Sequence, residues 1–486
     1  MSNLIKNELT KIFKKKSIYI ILFVTLAFVI LSNCMYKYFY NNGSYSYYSE
    51  SYVEYAREAI KGLDPNKTSD TKMYIEYKTV LDVYEMMQEY ENDAWQIQII
   101  SSRIEPYVNE RNTYLYGAEK NEEQANKINE QINELLERLK NDDWKYFANE
   151  ELQTAEEKVK ALKDEKAITE DKKRLEGLET EIAMAEIDLD VAKYRVNEDI
   201  KYGYDYMNVA ISNYQQYSYT VVQMNNSNTE LTYQEKKDYN QAIENKEISK
   251  YIIENHVDVE KANDLRGILS RFFNEFGLFI IVIVVMVAGT IVSEEFNKGT
   301  IKLLLVKPYN RNKILLAKFI TVLIMIGFSV VLLIGMELIV GGFVFGFDSL
   351  QIPVVVYNFS TNMLQEINIF AYLGTQILMI LPSIILLATL SFALSTIFTN
   401  SPVAIALPLL GYMGVAVINQ LAMQYNIGFL KYFVTLNWDF TQYLYGGMPL
   451  MEGLTPEFSV VICLLYFLVM MIPTFAIFKK KNIKNI

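Results

Sequence analysis

Residues 319–345 read FITVLIMIGFSVVLLIGMELIVGGFVF, and one ionisable side chain, Glu337, interrupts them. A helix that crosses about 30 Å of hydrocarbon needs about 20 mostly apolar residues. A helix on the surface of a water-soluble domain keeps a polar face, and this stretch has none. It predicts a membrane span, placed at 314–345. Working outward in both directions, five more stretches of the same kind stand at 17–39, 271–293, 370–398, 402–425 and 458–478. The predicted fold class is an all-α polytopic membrane protein with six transmembrane helices. The first stretch is N-terminal and preceded by lysines, as a cleaved signal would be, but no small-residue cleavage pattern follows it, so it reads as a retained span.

The basic residues around these spans predict an orientation. Lys6, Lys11, Lys14, Lys15 and Lys16 precede the first span. Lys298, Lys302, Lys307, Arg311 and Lys313 fill the segment 294–313, and Lys479, Lys480, Lys481 and Lys484 follow the sixth span. The connection 346–369 has no basic residue, and 426–457 has only Lys431. Both termini and the short turn 399–401 are expected on the cytoplasmic side of the cell membrane, with 40–270 outside.

That long segment is chemically different from the rest. Residues 40–270 hold 28 Lys and Arg against 47 Asp and Glu, a net charge of −19; the remainder of the 486 residues nets +8. A mean hydropathy of +0.08 for the whole chain therefore averages two different solvents. Composition also removes classes of chemistry. The single histidine, His256, lies in a charged helical stretch with no nucleophile motif beside it, and the two cysteines, Cys34 and Cys463, cannot build a Cys/His zinc site. No glycine is followed directly by lysine, so the phosphate-cradling P-loop is absent. An acidic segment of this size argues against nucleic acid as a partner. The chain is expected to be no enzyme and to hold no catalytic residue, cofactor or metal of its own. Cys34 and Cys463 both fall towards the outer ends of their spans, a placement compatible with a disulfide.

Within 40–270 the pattern is helical. Leu175, Leu178, Ile182, Ala185, Leu189, Ala192 and Val196 alternate spacings of three and four, a coiled-coil-like seam, and Ile128, Ile132, Leu135 and Leu139 make a shorter one. The two seams are expected to pair as an antiparallel hairpin, with breaks at 141–143 and 163–172 and Thr169 capping the second helix. Only Pro65 and Pro106 interrupt the segment, which favours helix over sandwich or barrel. Of 36 tyrosines, 24 lie here; they suit a partner surface or the membrane–water boundary equally.

The segment 294–313 carries the most ordered signal. Two carboxylates, Glu294 and Glu295, mark the membrane exit; Gly299-Thr300 permits a turn; Ile301, Leu304 and Leu305 at helical spacing predict a short amphipathic helix that Pro308 ends, before Arg311 and Lys318. A loop that merely obeys the positive-inside bias explains the lysines but not this order. The segment resembles the corresponding loop of ABC-2-type ABC transporter permeases, the membrane-spanning subunits of one class of ABC exporters. Three further stretches share the resemblance: 1–16, with Asn3, Asn7, Glu8, Leu9 and Lys11, is similar to that family's amphipathic N-terminal interface helix; Leu390–Phe398 with Asn400-Ser401 to its turn between the fourth and fifth spans; and Asn437-Trp438-Asp439-Phe440 with Gln442, Tyr443, Leu444 and Gly446 to its outer loop before the sixth. The resemblance covers 1–39 and 271–486. The insertion between the first two spans departs from the family's usual short loop.

What the resemblance implies is a permease without a nucleotide site. Two ABC ATPase subunits would carry ATP and magnesium, and a second permease copy or homologue would complete the path through the bilayer. Glu294, Glu295, Gly299, Thr300, Leu304, Pro308 and Arg311 would be the coupling contacts with the ATPase, and the substrate would be an antimicrobial peptide, a lipid or another amphipathic molecule. Glu337, the one carboxylate deep in a span, is the candidate for a translocation path, because burying it there costs about 2.5–3.5 kcal/mol on insertion scales. Gly342 and Gly346 have the spacing of a helix-packing pair. The alternative is a membrane-anchored receptor or scaffold whose outer helical domain binds a partner.

Overall fold

The computed structural model describes residues 1–41, 47–226, 229–301, 310–398, 400–425 and 427–481. The chain forms two compact units. One contains Met1–Asn41, Leu231–Asp238 and Val259–Ile486; the other contains Asn42–Glu230 and Tyr239–Asp258. Among the described residues six helices are long and apolar enough to cross a membrane, all of them in the first unit.

The chain opens with α1 (Ser2–Phe13), whose buried stripe is Leu4, Glu8 and Ile12, one helical turn apart. An acid in the middle of an apolar stripe requires an internal partner, and it has one. Helix α2 (Lys16–Asn41) is the first span. The polar insertion follows: α3 (Glu50–Ala59), α4 (Thr68–Met87), α5 (Trp95–Ile99), a π-helical turn at Ile100–Ile104, α6 (Glu105–Tyr116), α7 (Glu122–Lys140), α8 (Trp144–Ile168), α9 (Lys172–Asn197), α10 (Tyr206–Asn225) and α11 (Tyr233–Asn255). Its core is built on Trp95, Ile99, Ile100, Ile104, Val108, Ile132, Leu139 and Phe147.

The insertion is helical as its periodicity predicts, but the helices pair differently. The shorter seam, on α7, packs against α6, and α9 packs against α8 on one side and α10 on the other. Burial on α9 follows this: Leu178, Ile182 and Ala185 are buried, and so are Ile187 and Val191 off the heptad line. A seam states which face is buried; it does not name the helix that covers it. Nor does Thr169 cap α9. Its hydroxyl donates back to the Glu165 carbonyl at the end of α8, and the Asp171 carboxylate accepts the Lys173 amide at the start of α9.

After α12 (Leu265–Ser270) come α13 (Phe272–Thr290), α14 (Ser293–Asn297), α15 (Arg311–Phe345), α16 (Ile369–Phe398), α17 (Ser401–Tyr425) and α18 (Pro456–Lys480). Helix α13 is the central span, with 61% of its apolar window buried against 22% for α2, 17% for α17 and 22% for α18. Its residues Phe276, Ile280, Val284 and Val287 share one core with Val322, Met325 and Ile326 of α15 and Ile384, Ala388 and Phe392 of α16. Prolines inside α16, α17 and α18 (Pro382, Pro408, Pro473) are of the kind neighbouring helices allow in spans.

One element departs from the all-helical expectation. The connection after α15 contains a hairpin, β1 (Val354–Asn358) antiparallel to β2 (Met363–Ile367), in register from Val354 opposite Ile367 to Asn358 opposite Met363. Three consecutive valines favour strand, and Asn362 takes the left-handed conformation (φ 52°) that closes the turn. The Gly342/Gly346 pair also has a different use from helix packing. A Cβ at Gly342 would stand 2.2 Å from the Phe347 ring, and Gly346 has φ +84°, so the pair makes the turn that ends α15. Both cysteines are free, Cys34 exposed and Cys463 buried with its thiol donating to the Asn437 carbonyl.

Candidate functional site

Four charged side chains from three segments meet at the α1 end of the span bundle. Lys318, about two turns into α15, is fully buried. Its ammonium donates to Glu8 Oε2 at 2.8 Å, lies 2.9 Å from Glu295 Oε1, and donates to the Ile291 carbonyl at 2.9 Å. Lys11 reaches the same carboxylates, 2.8 Å from Glu8 Oε1 and 2.7 Å from Glu295 Oε1. Glu295 Oε2 is buried with no hydrogen-bond partner. A second, more exposed pair lies beside this cluster: Lys15 is 3.0 Å from Glu294 Oε2 and donates to Thr290 Oγ1 at 2.9 Å.

The electrostatics follow from burial and pairing. Burial alone would raise the Glu8 carboxyl, but the Lys318 ammonium and the hydrogen bond from Lys11 outweigh it and hold Glu8 below its ordinary value of 4.5. Burial alone would lower Lys11; its hydrogen bonds to Glu295 and Glu8 outweigh that and hold it above its ordinary 10.5. The cluster therefore holds Glu8 and Lys11 charged across the neutral range. It ties α1, the exit of α13 through α14, and the base of α15 into one body.

The expected interface-helix and coupling residues divide into buried and exposed ones. Glu8 and Glu295 are buried and paired with Lys11 and Lys318, so the Glu295 carboxylate faces inward in this chain. Leu9 is half-buried against the core. Asn7, Gly299 and Thr300 are exposed, with Thr300 Oγ1 3.4 Å from the Glu295 carbonyl. Gly299 has φ +67°, and a Cβ there would meet nothing within 4 Å. Glu294 is half-buried between Lys15 and Lys298. Arg311 donates to the carbonyls of Lys479 and Lys481 and so holds the end of α18. Leu304 and Pro308 lie outside the described residues. A cavity of about 580 Å³, lined by Asn7, Lys11, Lys14, Glu294, Glu295 and Lys298 among others, opens beside the cluster.

The sequence pattern missed Lys318 as the counter-charge. The signal was present: a lysine between Ala317 and Phe319, inside an apolar helix, needs a carboxylate. Glu337 lies further along the same helix as Lys318, fully buried, and accepts a hydrogen bond from Asn33 of α2 at 3.0 Å.

The other two motifs have structural uses. Ser391 donates to the Val285 and Ala404 carbonyls, Ser395 accepts the Ser293 amide, and Ser293 and Ser401 hydroxyls lie 2.7 Å apart, so this stretch joins α13, α16 and α17. A Cβ at Gly289 would stand 2.7 Å from Ile405, and only glycine allows that approach. In the connection before α18, Asn437 is fully buried, donates to the Lys431 and Phe433 carbonyls and accepts from Ser459, while Gln442 donates to the Leu436 and Asp439 carbonyls.

A second cavity, about 1160 Å³, lies elsewhere, within the insertion unit between α4 and α6.

Comparison with known proteins gives relatives but no activity. The chain is 35% identical over 211 residues to the uncharacterized protein YhcI of Bacillus subtilis (strain 168), a match covering 43% of this chain and 65% of that one. It is 27% identical over 223 residues to the uncharacterized membrane protein YdbK of the same organism, covering 45% of this chain and 83% of that one. The chain thus spans just under two thirds of the first relative's length. No solved structure matches it. The model of a family described as a protein of unknown function, DUF2705, matches residues 231–484, the stretch that carries five of the six spans and the Glu295–Lys318 half of the charge cluster. With more than half its length under that match, this multi-pass membrane protein belongs to the DUF2705 family.

Proposed function

We propose that this chain is the membrane-spanning permease subunit of an ABC-type exporter, with both termini cytoplasmic and the insertion outside the cell membrane. Two ATPase subunits would supply ATP hydrolysis with magnesium, and a second permease copy or homologue would complete the path for an amphipathic substrate. The observation that carries the reading is the Glu8–Lys11–Glu295–Lys318 cluster. It makes α1, α14 and the base of α15 move together, and it leaves Asn7, Lys14, Lys298 and Thr300 exposed around one cavity. A push on that surface is transmitted to two spans without loss in a flexible loop. The ordered motifs shared with ABC-2-type permeases support the same reading.

The test is purification of the full chain from its native membranes under mild detergent, with mass spectrometry and an ATP-turnover assay. A co-purifying P-loop ATPase with vanadate-sensitive turnover is expected, and the chain stripped of it should turn over no ATP. A preparation with neither subunit nor turnover would defeat the proposal. The receptor or scaffold reading rests on the 1160 Å³ cavity of the insertion unit, where Glu105 Oε2 is buried without a hydrogen-bond partner. Function lost on deleting α4 to α6, and retained when the charge cluster is broken without unfolding, would favour it.

A further inference from the structure

Asn33 on α2 and Glu337 on α15 are both fully buried. Asn33 Nδ2 donates to Glu337 Oε2 at 3.0 Å and to the Val29 carbonyl at 2.9 Å, so both amide protons are used. Two acceptors remain. Asn33 Oδ1 and Glu337 Oε1 are buried with no hydrogen-bond partner. They face the same spot: a Cβ at Gly341 would stand 2.8 Å from Glu337 Oε1 and 3.3 Å from Asn33 Oδ1. Glycine at 341 leaves the two oxygens looking into one small gap, which Leu265 closes from α12.

Two acceptors cannot satisfy each other, and a buried acceptor without a donor destabilises the fold. Exchanging the oxygen and nitrogen of Asn33 makes matters worse, because its oxygen would then face the Val29 carbonyl and Glu337 Oε2. No basic side chain forms an ion pair with Glu337 among the described residues. The charged groups on neighbouring elements are engaged elsewhere. Lys37 donates to the Val344 carbonyl, Arg266 donates to the Val259 carbonyl beside Asp264, and Arg271 and Tyr36 both hold Glu275, a like charge. What is missing is one donor, at a spot the Leu265 side chain crowds.

We propose that Asn33, Glu337 and Gly341 form an intramembrane proton-binding site, in which Glu337 Oε1 carries a proton that it donates to Asn33 Oδ1. The step forms one O–H bond on Glu337 and breaks one O–H bond of hydronium, which leaves as water; nothing is oxidised or reduced. The site bridges α2 and α15, so packing of the two helices and proton occupancy are linked: separation removes the Asn33 acceptor and opens the carboxyl to water. This holds whichever partner acts on the other end of α15, and it does not rest on the export reading.

Infrared difference spectroscopy on the full chain in lipid nanodiscs tests it, with the proton as the probe. In neutral buffer the wild type should show one protonated-carboxyl C=O band, shifted in D2O, that Glu337→Gln removes. Glu337→Gln supplies an N–H where the proton stands and should melt close to wild type. Asn33→Ala should keep the band but move it to higher frequency, because the acid loses its acceptor. Absence of the band in folded wild type, or its persistence in Glu337→Gln, overturns the proposal. An unshifted band in Asn33→Ala overturns the pairing, and that variant decides the matter even if Glu337→Gln fails to fold.

Discussion

Lys318 is held by two carboxylates and one carbonyl, and Lys11 shares both carboxylates. Replacing it with methionine leaves Glu8 and Glu295 buried beside each other with only the partly exposed Lys11 between them. Breaking a buried pair from one side costs about 3–5 kcal/mol, since an uncompensated charge remains. Lys318→Met should therefore lower unfolding stability in lipid nanodiscs by about that much. The double variant Lys318→Met/Glu8→Gln should lose less than the sum of the single losses, by about 0.5–3 kcal/mol; additive losses would show that the residues do not act as a unit. Glu295→Ala belongs to the same class and should cost stability, which a surface contact would not. The cluster also sets a pH window. Glu8 is held below 4.5, so its share of stability is full above that value and is lost as pH falls further. Lys11 is held above 10.5, so its share is full below that value and is lost as pH rises beyond it. The share of melting temperature that Glu8 and Lys11 supply should be level between these limits, and the difference between wild type and Glu8→Gln should shrink on the acid side.

At the scale of elements, the turn after α14 and the α13–α17 contact make opposite demands on glycine. Gly299 has positive φ in open space. Valine there adds strain of about 1–3 kcal/mol without a clash, whereas asparagine tolerates the conformation. Gly299→Val should insert normally yet become more sensitive to proteolysis at 298–301 and lose partner-stimulated ATP turnover, and Gly299→Asn should keep most of both. Equal behaviour of the two would remove the turn from the coupling argument. Gly289 has helical neighbours and no space: a Cβ would stand 2.7 Å from Ile405 and 3.0 Å from Ser391 Oγ. Gly289→Val should lower the yield of folded protein, because two packed helices must separate to admit it.

At the scale of the molecule, the insertion has its own hydrophobic core and the span unit has another. A fragment of residues 47–258 should be soluble, melt cooperatively and give a helix-dominated circular dichroism spectrum; a strand-dominated or featureless one would show that it depends on the spans. The family match begins at residue 231 and so leaves out most of the insertion. This fits a span unit with its own packing and an insertion that folds separately.

Much was legible in the residues themselves. That 319–345 and its five companions cross a membrane is a property of each segment alone, because hydrocarbon demands a continuous apolar run and backbone bonds satisfied within the helix. The helical character of the insertion was legible for the same reason, since a period of three and four is local. Partners were not legible. Periodicity says that one face of α9 is buried, but only the fold shows α8 and α10 covering it. Glu295 reads as an outward carboxylate at a membrane exit, and only the tertiary structure turns it inward onto Lys318. Glu8 and Lys318 lie 310 positions apart, and Asn33 and Glu337 lie 304 apart. A charge or an unpaired oxygen announces in the sequence that it needs a partner; which one it finds depends on two segments meeting in space.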